Sequence, residues 1–464
     1  MRTADSEMTV TNPHLTINVC ERGTRARKGA LVCQIEREVE FSTASLESYF
    51  FAKWEPVAYD ALLVAAAVEF ADRTRRRPSF TWRREFEVLV PVHDPDRWND
   101  GKVKKALTDA VSFLTGDVWR FDFRKRKKEA DAPQQSKLNL PSNVEAVLPF
   151  SNGLDSKAVA GLMKRSMGDR LVRIRLGSRL RSKEVLATGR EPFTSVPYQV
   201  KPGSRPFVES SARSRGFKFA VISGLAAYLS GAGQIILPES GQGAIGPALV
   251  PVGQAYEDFR GHPLFTVRME AFFAAILNHR VQFAFPRLWS TKAETLKAYT
   301  DECGGDYSWA DTWSCWQQSR QVSVDHKKRQ CGICAACMLR RLSVHAAGLQ
   351  EPKEHFVWED LSANTFEAGT AADFPRNKVT RSQREYAIAG VLHLDHLAAL
   401  LDSAANAGRL KLSAAQLGRT LNLGEAEASE RLHRLLQQHK YEWTNFMGSL
   451  GRDSFLADWA LSVQ

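Results

Sequence analysis

Two short segments of the chain hold residue types suited to chemistry. The first is Leu148-Pro149-Phe150-Ser151-Asn152-Gly153-Leu154-Asp155-Ser156. It reads as a short apolar strand, a small polar turn and the start of a helix. A turn of this kind aims several backbone N–H groups at one anion, and the helix N-terminus adds the positive end of its dipole. Ser151 and Ser156 supply hydroxyls, and Asp155 can hold a magnesium ion that neutralises phosphate charge. The second segment is Thr312-Trp313-Ser314-Cys315, followed by Cys331-Gly332-Ile333-Cys334-Ala335-Ala336-Cys337. A CxxC turn brings two thiolates to one ion at about 2.3 Å, and four thiolates close a tetrahedron with no open position. Zinc held by Cys315, Cys331, Cys334 and Cys337 would therefore be structural. Cys303 is a further thiol, but its distance along the chain favours Cys315 as the fourth ligand.

The elements that must position these residues can be read from periodicity. Alternating apolar residues predict strands over His14 to Cys20, Leu31 to Phe41 and Glu85 to Val92. Tyr59 to Arg73 and Lys102 to Leu114 carry helical spacing, the latter stopping near Gly116. Residues 1–142 are expected to form an α+β domain. It ends in the basic run Arg124 to Lys128 and the polar linker Glu129 to Ser142. From residue 143 strands and helices alternate: Ala146 to Phe150, Asp155 to Met167, Leu171 to Leu176, Phe217 to Leu229, Gln234 to Leu237 and Arg268 to Leu277. Such alternation implies a parallel α/β sheet, expected over 143–348. Residues 349–464 read as a helical region, with Tyr386 to Ala407 and Glu425 to His439 as its helices.

With 44% hydrophobic and 25% charged residues, the chain has the composition of an ordinary globular protein. No run approaches the roughly 18 apolar residues of a membrane helix. The opening MRTADSEMTV has no apolar signal core, so a cytoplasmic location is expected, with no membrane partner. Four cysteines close together then point to metal rather than disulfides. The net charge of +11 favours anionic partners such as nucleotides or nucleic acid, or simply a basic surface.

The Ser151–Ser156 loop resembles the Ser-Gly-Gly-x-Asp-Ser signature of PP-loop ATP pyrophosphatases, with Asn152 in place of the first glycine. Asn tolerates positive φ better than most residues, which would preserve the loop. The cysteine segment resembles the zinc motif of the QueC family, the 7-cyano-7-deazaguanine synthases. The order of the two motifs is also that family's order. Weaker likenesses are Arg213 to Phe217, Pro238-Glu239-Ser240-Gly241 and Ser290-Thr291-Lys292-Ala293-Glu294. The resemblance spans about Val144 to Gly348. It implies a PP-loop domain of the adenine nucleotide alpha hydrolase kind with a zinc knuckle. It also implies ATP with magnesium, and adenylation of a deazaguanine carboxylate. Ser151, Asn152, Gly153, Leu154, Asp155 and Ser156 would hold pyrophosphate. Lys292 would be a catalytic cation for the phosphate or the carboxylate, Glu239 would accept from the guanine-like edge, and Arg213 would bind substrate. The extra regions on either side resemble those of larger QueC-like proteins of anti-phage operons, of the Qat and type IV CBASS kinds. Three functions stay open on sequence alone. They are a small-molecule amide or nitrile synthase, a relative that transfers the acyl group to an amine on an operon partner protein, and a non-enzymatic adaptor for nucleotide or nucleic acid. A homo-oligomer is compatible with each.

Overall fold

The chain begins with strands that cannot turn back on themselves by hairpins. In the computed structural model, which describes residues 14–43, 55–77, 83–129, 143–176, 193–251, 257–304, 307–317 and 322–460, the first sheet contains β1 (His14–Cys20), β2 (Leu31–Gln34), β4 (Glu85–Val92) and β5 (Val118–Lys125). The order is β2-β1-β4-β5 and every pairing is parallel. The α+β expectation for this segment is therefore corrected to parallel α/β. The physical reason is the length of the crossovers. Parallel neighbours need a connection of roughly a dozen residues or more. Helices α1 (Pro56–Thr74) and α2 (Gly101–Thr115) supply the two long ones. Helix α1 is apolar nearly all round and almost wholly buried, as a helix wedged between layers must be.

The expected single strand Leu31 to Phe41 is broken. Glu36 takes φ +70°, and the chain leaves the sheet before β3 (Val39–Phe41). β3 pairs antiparallel with Tyr198–Val200, far along the chain. Most of the expected polar linker, residues 130–142, lies outside the described residues, as does the opening decapeptide.

The second sheet follows the sequence expectation closely. Its strands are β6 (Ala146–Pro149), β7 (Leu171–Leu176), β8 (Phe193–Val196), β10 (Gln234–Ile236) and β11 (Gln282–Ala284), with β9 the Tyr198–Val200 strand just described. All pairings in the order β11-β10-β6-β7-β8 are parallel. Helices α3 (Leu154–Met167), α4 (Arg215–Ser230) and α5 (Pro263–Leu277) connect them. The chain runs outward from β6 to β7 and β8, then returns to add β10 and β11 on the other side. The order thus reverses between β6 and β10. In open parallel sheets, ligands sit at that reversal, beyond the carboxyl ends of the strands. Helix α5 starts five residues before the Arg268 read from periodicity, because His262 caps it through a 3.1 Å bond from the Leu264 N–H and Pro263 takes its first turn.

The largest buried cluster mixes residues from both sheets, with Phe70, Val90 and Trp98 packed in the same core as Val147, Phe217 and Phe272. At their junction, Asp72, Arg84 and Asp117 are fully buried and bonded at 2.5 and 2.7 Å. Asp72 also accepts the Ser214 N–H at 2.8 Å, which pins the start of α4.

Helices α6 (Lys292–Glu302), α7 (Ala335–Ala346), α8 (Arg381–Ala398), α9 (Ala407–Leu421) and α10 (Glu425–Leu450) complete the chain. The expected Tyr386 to Ala407 helix ends at Ala398 and resumes as α9. A second core joins Cys331, Cys334 and Cys337 to Trp358, Val391, Trp443 and Phe446. Helix α10 lies close against the segment that follows β10. A side chain at Gly241 would collide with the Leu288 carbonyl and the Leu435 side chain, so glycine is what permits the approach. Among the described residues, no single helix is long and apolar enough to cross a membrane.

Candidate active site and metal centre

The Ser151–Ser156 loop leaves the carboxyl end of β6, at the point of strand reversal, and runs into α3. Its turn is held internally. The Ser151 and Ser156 hydroxyls lie 2.9 Å apart, and the Gly153 N–H donates to Ser151 Oγ at 3.1 Å. Leu154 is 1% exposed and packs with Leu296, so it anchors the helix start in the core. Gly153 has φ −78°, and Asn152 is not among the residues of positive φ. The expectation that Asn152 substitutes for glycine by tolerating positive φ is therefore corrected. The turn needs no left-handed residue at either position. Asn152 instead accepts a bond from Arg175 Nη1 at 3.1 Å through its side chain.

Asp155 is in the first turn of α3, and its carboxylate pairs with Lys292 Nζ, from the first turn of α6. Lys292 is only 7% exposed, which excludes the surface role that lysines usually take. The other oxygen, Asp155 Oδ1, is buried with no hydrogen-bond partner among the described residues. A buried carboxylate oxygen without a donor is a costly arrangement unless a cation or substrate completes it. Asp155 therefore fits a magnesium ligand. Lys292 is placed by its N-cap residue Thr291, whose capping box with Glu294 is complete.

Glu239 follows β10, the strand beside β6. Gly243 and Gly261 line its side chain; a Cβ on Gly243 would stand 2.7 Å from Glu239 Oε2. Burial, then the nearby Asp155 charge, pushes the Glu239 carboxyl up to about 7, against the opposing pull of Lys292, Arg260 and Arg215. The folded state thus holds this proton more tightly than the unfolded chain, whose ordinary value is 4.5. The associated stability is present below that value and is lost as pH rises through about 7. Glu239→Gln, neutral at all pH, should raise the melting temperature relative to the parent at about pH 8 and not at about pH 4.5. Equal shifts at both pH values in thermal melts would contradict this.

Arg213 is 3% exposed and donates to the Glu257 carbonyl at 2.7 Å, among Asp258, Arg77 and Arg260. The cations whose charges act on Glu239 are Lys292, Arg260 and Arg215. Arg260 is itself fixed on Asp258. Sequence reading missed Arg260, Arg175 and Gln242, since single polar residues in a loop, at a strand's end or in one helical turn carry no periodic signal. Only their position relative to β6 and β10 distinguishes them.

The four cysteines come together as read. The sulfurs of Cys315, Cys331, Cys334 and Cys337 all lie within 4.8 Å of one another and all four residues are buried. Cys331 and Cys337 sulfurs are 3.8 Å apart, close to the edge of a tetrahedron with zinc–sulfur bonds of about 2.3 Å. Backbone N–H groups of Cys331 and Gln317 point at Cys315 Sγ at 3.2 and 3.3 Å, and that of Cys334 at Cys331 Sγ at 3.2 Å. Donors aimed at sulfur favour thiolate over thiol. Gly332, at φ +87°, makes the turn between two ligands. The cluster therefore fits structural zinc. Cys303 is not part of it; it caps α6 and packs near Gly161. The centre also touches the phosphate-type loop, because the Trp313 N–H donates to the Asn152 carbonyl at 2.6 Å.

Residues 244–348 match the family model described as queuosine biosynthesis protein QueC. No curated protein matches the chain. The matched segment holds β11, Lys292 and the four cysteines and is similar to QueC, while the Ser151–Ser156 loop and the other strands of the second sheet lie before it.

Proposed function

We propose that this chain, QueC-like in its central part, uses ATP to adenylate the carboxylate of a 7-deazaguanine acid and passes the acyl group to an amine. The observation that carries the proposal is the Asp155–Lys292 pair beside the Ser151–Ser156 turn, with Asp155 Oδ1 left for a cation. A carboxylate is a poor electrophile, and an acyl-adenylate supplies a good leaving group. In the first step a carboxylate oxygen attacks the α-phosphorus, the α–β phosphoanhydride bond breaks and pyrophosphate departs. In the second step an amine nitrogen attacks the acyl carbon and AMP departs with the bonding pair. Enzymes assist such transfers mainly by positioning and charge neutralisation.

Ser151, Ser156 and the N–H groups of residues 152–154 would bind the pyrophosphate moiety. Asp155 would hold magnesium, which neutralises phosphate charge when bound. Lys292 would hold a phosphate or the carboxylate. Glu239, acid and base near neutral pH, would face the deazaguanine edge, with Arg260 and Arg215 fixing its charge. Arg213, buried among Asp258, Arg77 and Arg260, would also bind the substrate. Zinc on the four cysteines would stiffen the wall that Trp313 applies to the loop. Ammonia would give an amide. A second ATP that adenylates the amide oxygen would let AMP carry that oxygen away as the amide nitrogen loses its protons, leaving the nitrile. An amine on a partner protein would give a protein adduct, which fits the added regions 1–142 and 349–464 and their likeness to proteins of anti-phage operons. An adaptor with a degenerate loop is disfavoured by the buried, correctly placed Lys292. The test is pyrophosphate release from ATP that requires 7-carboxy-7-deazaguanine, with intact-mass measurement of co-expressed operon neighbours. No acid-dependent pyrophosphate release rejects the adenylation reading; a mass gain of a deazaguanine acyl group on a neighbour selects the protein acceptor.

A further inference from the structure

Outside the loop itself, the most complete polar structure near the candidate site comes from the C-terminal helix α10. Thr291, the N-cap residue of α6, uses its hydroxyl oxygen to accept the Glu294 N–H at 3.1 Å. The hydroxyl proton goes elsewhere, to Glu442 Oε1 at 2.6 Å. Both residues are buried. One residue further on, the Lys292 N–H donates to Gln242 Oε1 at 2.8 Å. Gln242 Nε2 then stands 2.8 Å from His439 Nδ1, and His439 Nε2 stands 2.9 Å from the Leu394 carbonyl.

The direction of this chain is fixed from both ends. A backbone N–H can only donate, so the Gln242 atom beside Lys292 is oxygen and the atom beside His439 is the amide NH₂. A carbonyl can only accept, so His439 carries its proton on Nε2 and accepts on Nδ1. The oxygen and nitrogen of the Gln242 side chain and both ring nitrogens of His439 each have a partner, whereas Glu442 Oε2 is buried without one among the described residues. Gln242 is 2% exposed and His439 fully buried. Burial also holds His439 down to about 4, so it stays neutral across the working range of pH.

We infer that residues 439 and 442 of α10 are positioning residues for Lys292, which makes the C-terminal region part of the site that the adenylation proposal describes. Glu442 holds the N-cap hydroxyl of α6, while His439 holds the Gln242 side chain that orients the Lys292 backbone. Lys292 in turn places its ammonium on Asp155. The inference rests on the functional reading for its consequence, though not for its geometry. Bonded relays of buried groups favour one arrangement, because breaking a link orphans the next.

The geometry gives an asymmetric test. Asn at position 439 offers an acceptor near the place of Nδ1, facing Gln242. Gln at 439 offers a donor near the place of Nε2, facing Leu394. Both remove the ring and leave similar cavities. In the full chain, His439→Gln should speed amide hydrogen exchange at Lys292 by about tenfold or more, and His439→Asn should stay near the parent. In steady-state assays His439→Gln should lower kcat for pyrophosphate release more than it raises KM for ATP, with His439→Asn recovering most of the loss. Equal loosening by the two variants, or parental exchange at Lys292 in His439→Gln, overturns the inference. If His439→Gln does not fold, His439→Leu substitutes for it, filling much of the ring's space and removing the acceptor that holds the Gln242 amide. The same loosening is expected, and parental protection overturns the inference. If the parent protein releases no pyrophosphate, the adenylation reading fails while the exchange measurement still decides this one.

Discussion

Asp155→Asn is expected to lower acid-dependent pyrophosphate release by on the order of 10²–10³-fold, the usual loss when one preorganised charge-stabilising group is removed. Asparagine is chosen over alanine for a structural reason. Sequence alone casts Asp155 as a magnesium residue with no part in the core, so that alanine would leave the fold intact. The structure gives it a second duty, since it neutralises Lys292, whose side chain is 9% exposed. Asp155→Ala would leave that cation nearly buried without a counter-charge, and breaking such a pair costs up to about 3–5 kcal/mol when burial is complete. Asparagine keeps an acceptor for Lys292 and loses the charge. We therefore expect Asp155→Asn to melt within a few degrees of the parent and Asp155→Ala to melt clearly lower. Lys292→Met should lose activity on a similar scale, and the double variant Asp155→Asn/Lys292→Met should lose less than the product of the two. Parental turnover in Asp155→Asn would remove this carboxylate from the mechanism. Additive losses in the double variant would mean that the pair does not act as a unit.

Loss of zinc should be the larger effect on the fold. The purified chain should carry about one zinc per molecule, and Cys334→Ser should carry almost none. Free energies of about 10–16 kcal/mol bind structural zinc in small folded units, and that energy is also folding energy. Here the cluster is built into a core shared with Trp358, Val391 and Trp443, so its failure should spread. We expect Cys334→Ser to melt earlier in two stages, the first involving residues around 312–360 and α10. Because the Trp313 N–H is bonded to the Asn152 carbonyl, the loop after β6 should lose protection from hydrogen exchange in the same variant. Elemental analysis and exchange measurements check both parts. An undiminished zinc content, or a loop protected as in the parent, would contradict them.

Much of this was legible in the sequence because it rests on local chemistry. The two-residue spacing of Cys331, Cys334 and Cys337 dictates a metal turn wherever it occurs, and Cys315 proved to be the fourth member. The alternation after residue 143 dictates a parallel sheet, and the loop at Ser151 falls at its strand reversal. What escaped were features decided by distant partners. The N-terminal strands showed period-two patterns, which parallel and antiparallel sheets share; only the fit of α1 and α2 over them decides between the two. Glu36 breaks Leu31 to Phe41 because β3 has a partner near residue 199, which no window around Glu36 contains. Lys292 could not be told from a surface lysine until Asp155, 137 residues earlier, was placed beside it.

The pairing of β3 with Tyr198–Val200 bears on inheritance as well as on architecture. It ties the two halves together by a separate two-stranded ladder, one strand from each half, over a core that both halves fill. At the opposite end, Leu435 of α10 occupies the space that Gly241 leaves open. A fragment cut to residues 143–348 would carry two torn apolar faces and an unpaired edge. The flanking regions cannot then be traded one at a time among relatives, as loosely tethered modules can. They must change in concert with the central sheet, so a chimera assembled at those boundaries should aggregate unless both seams are inherited with it.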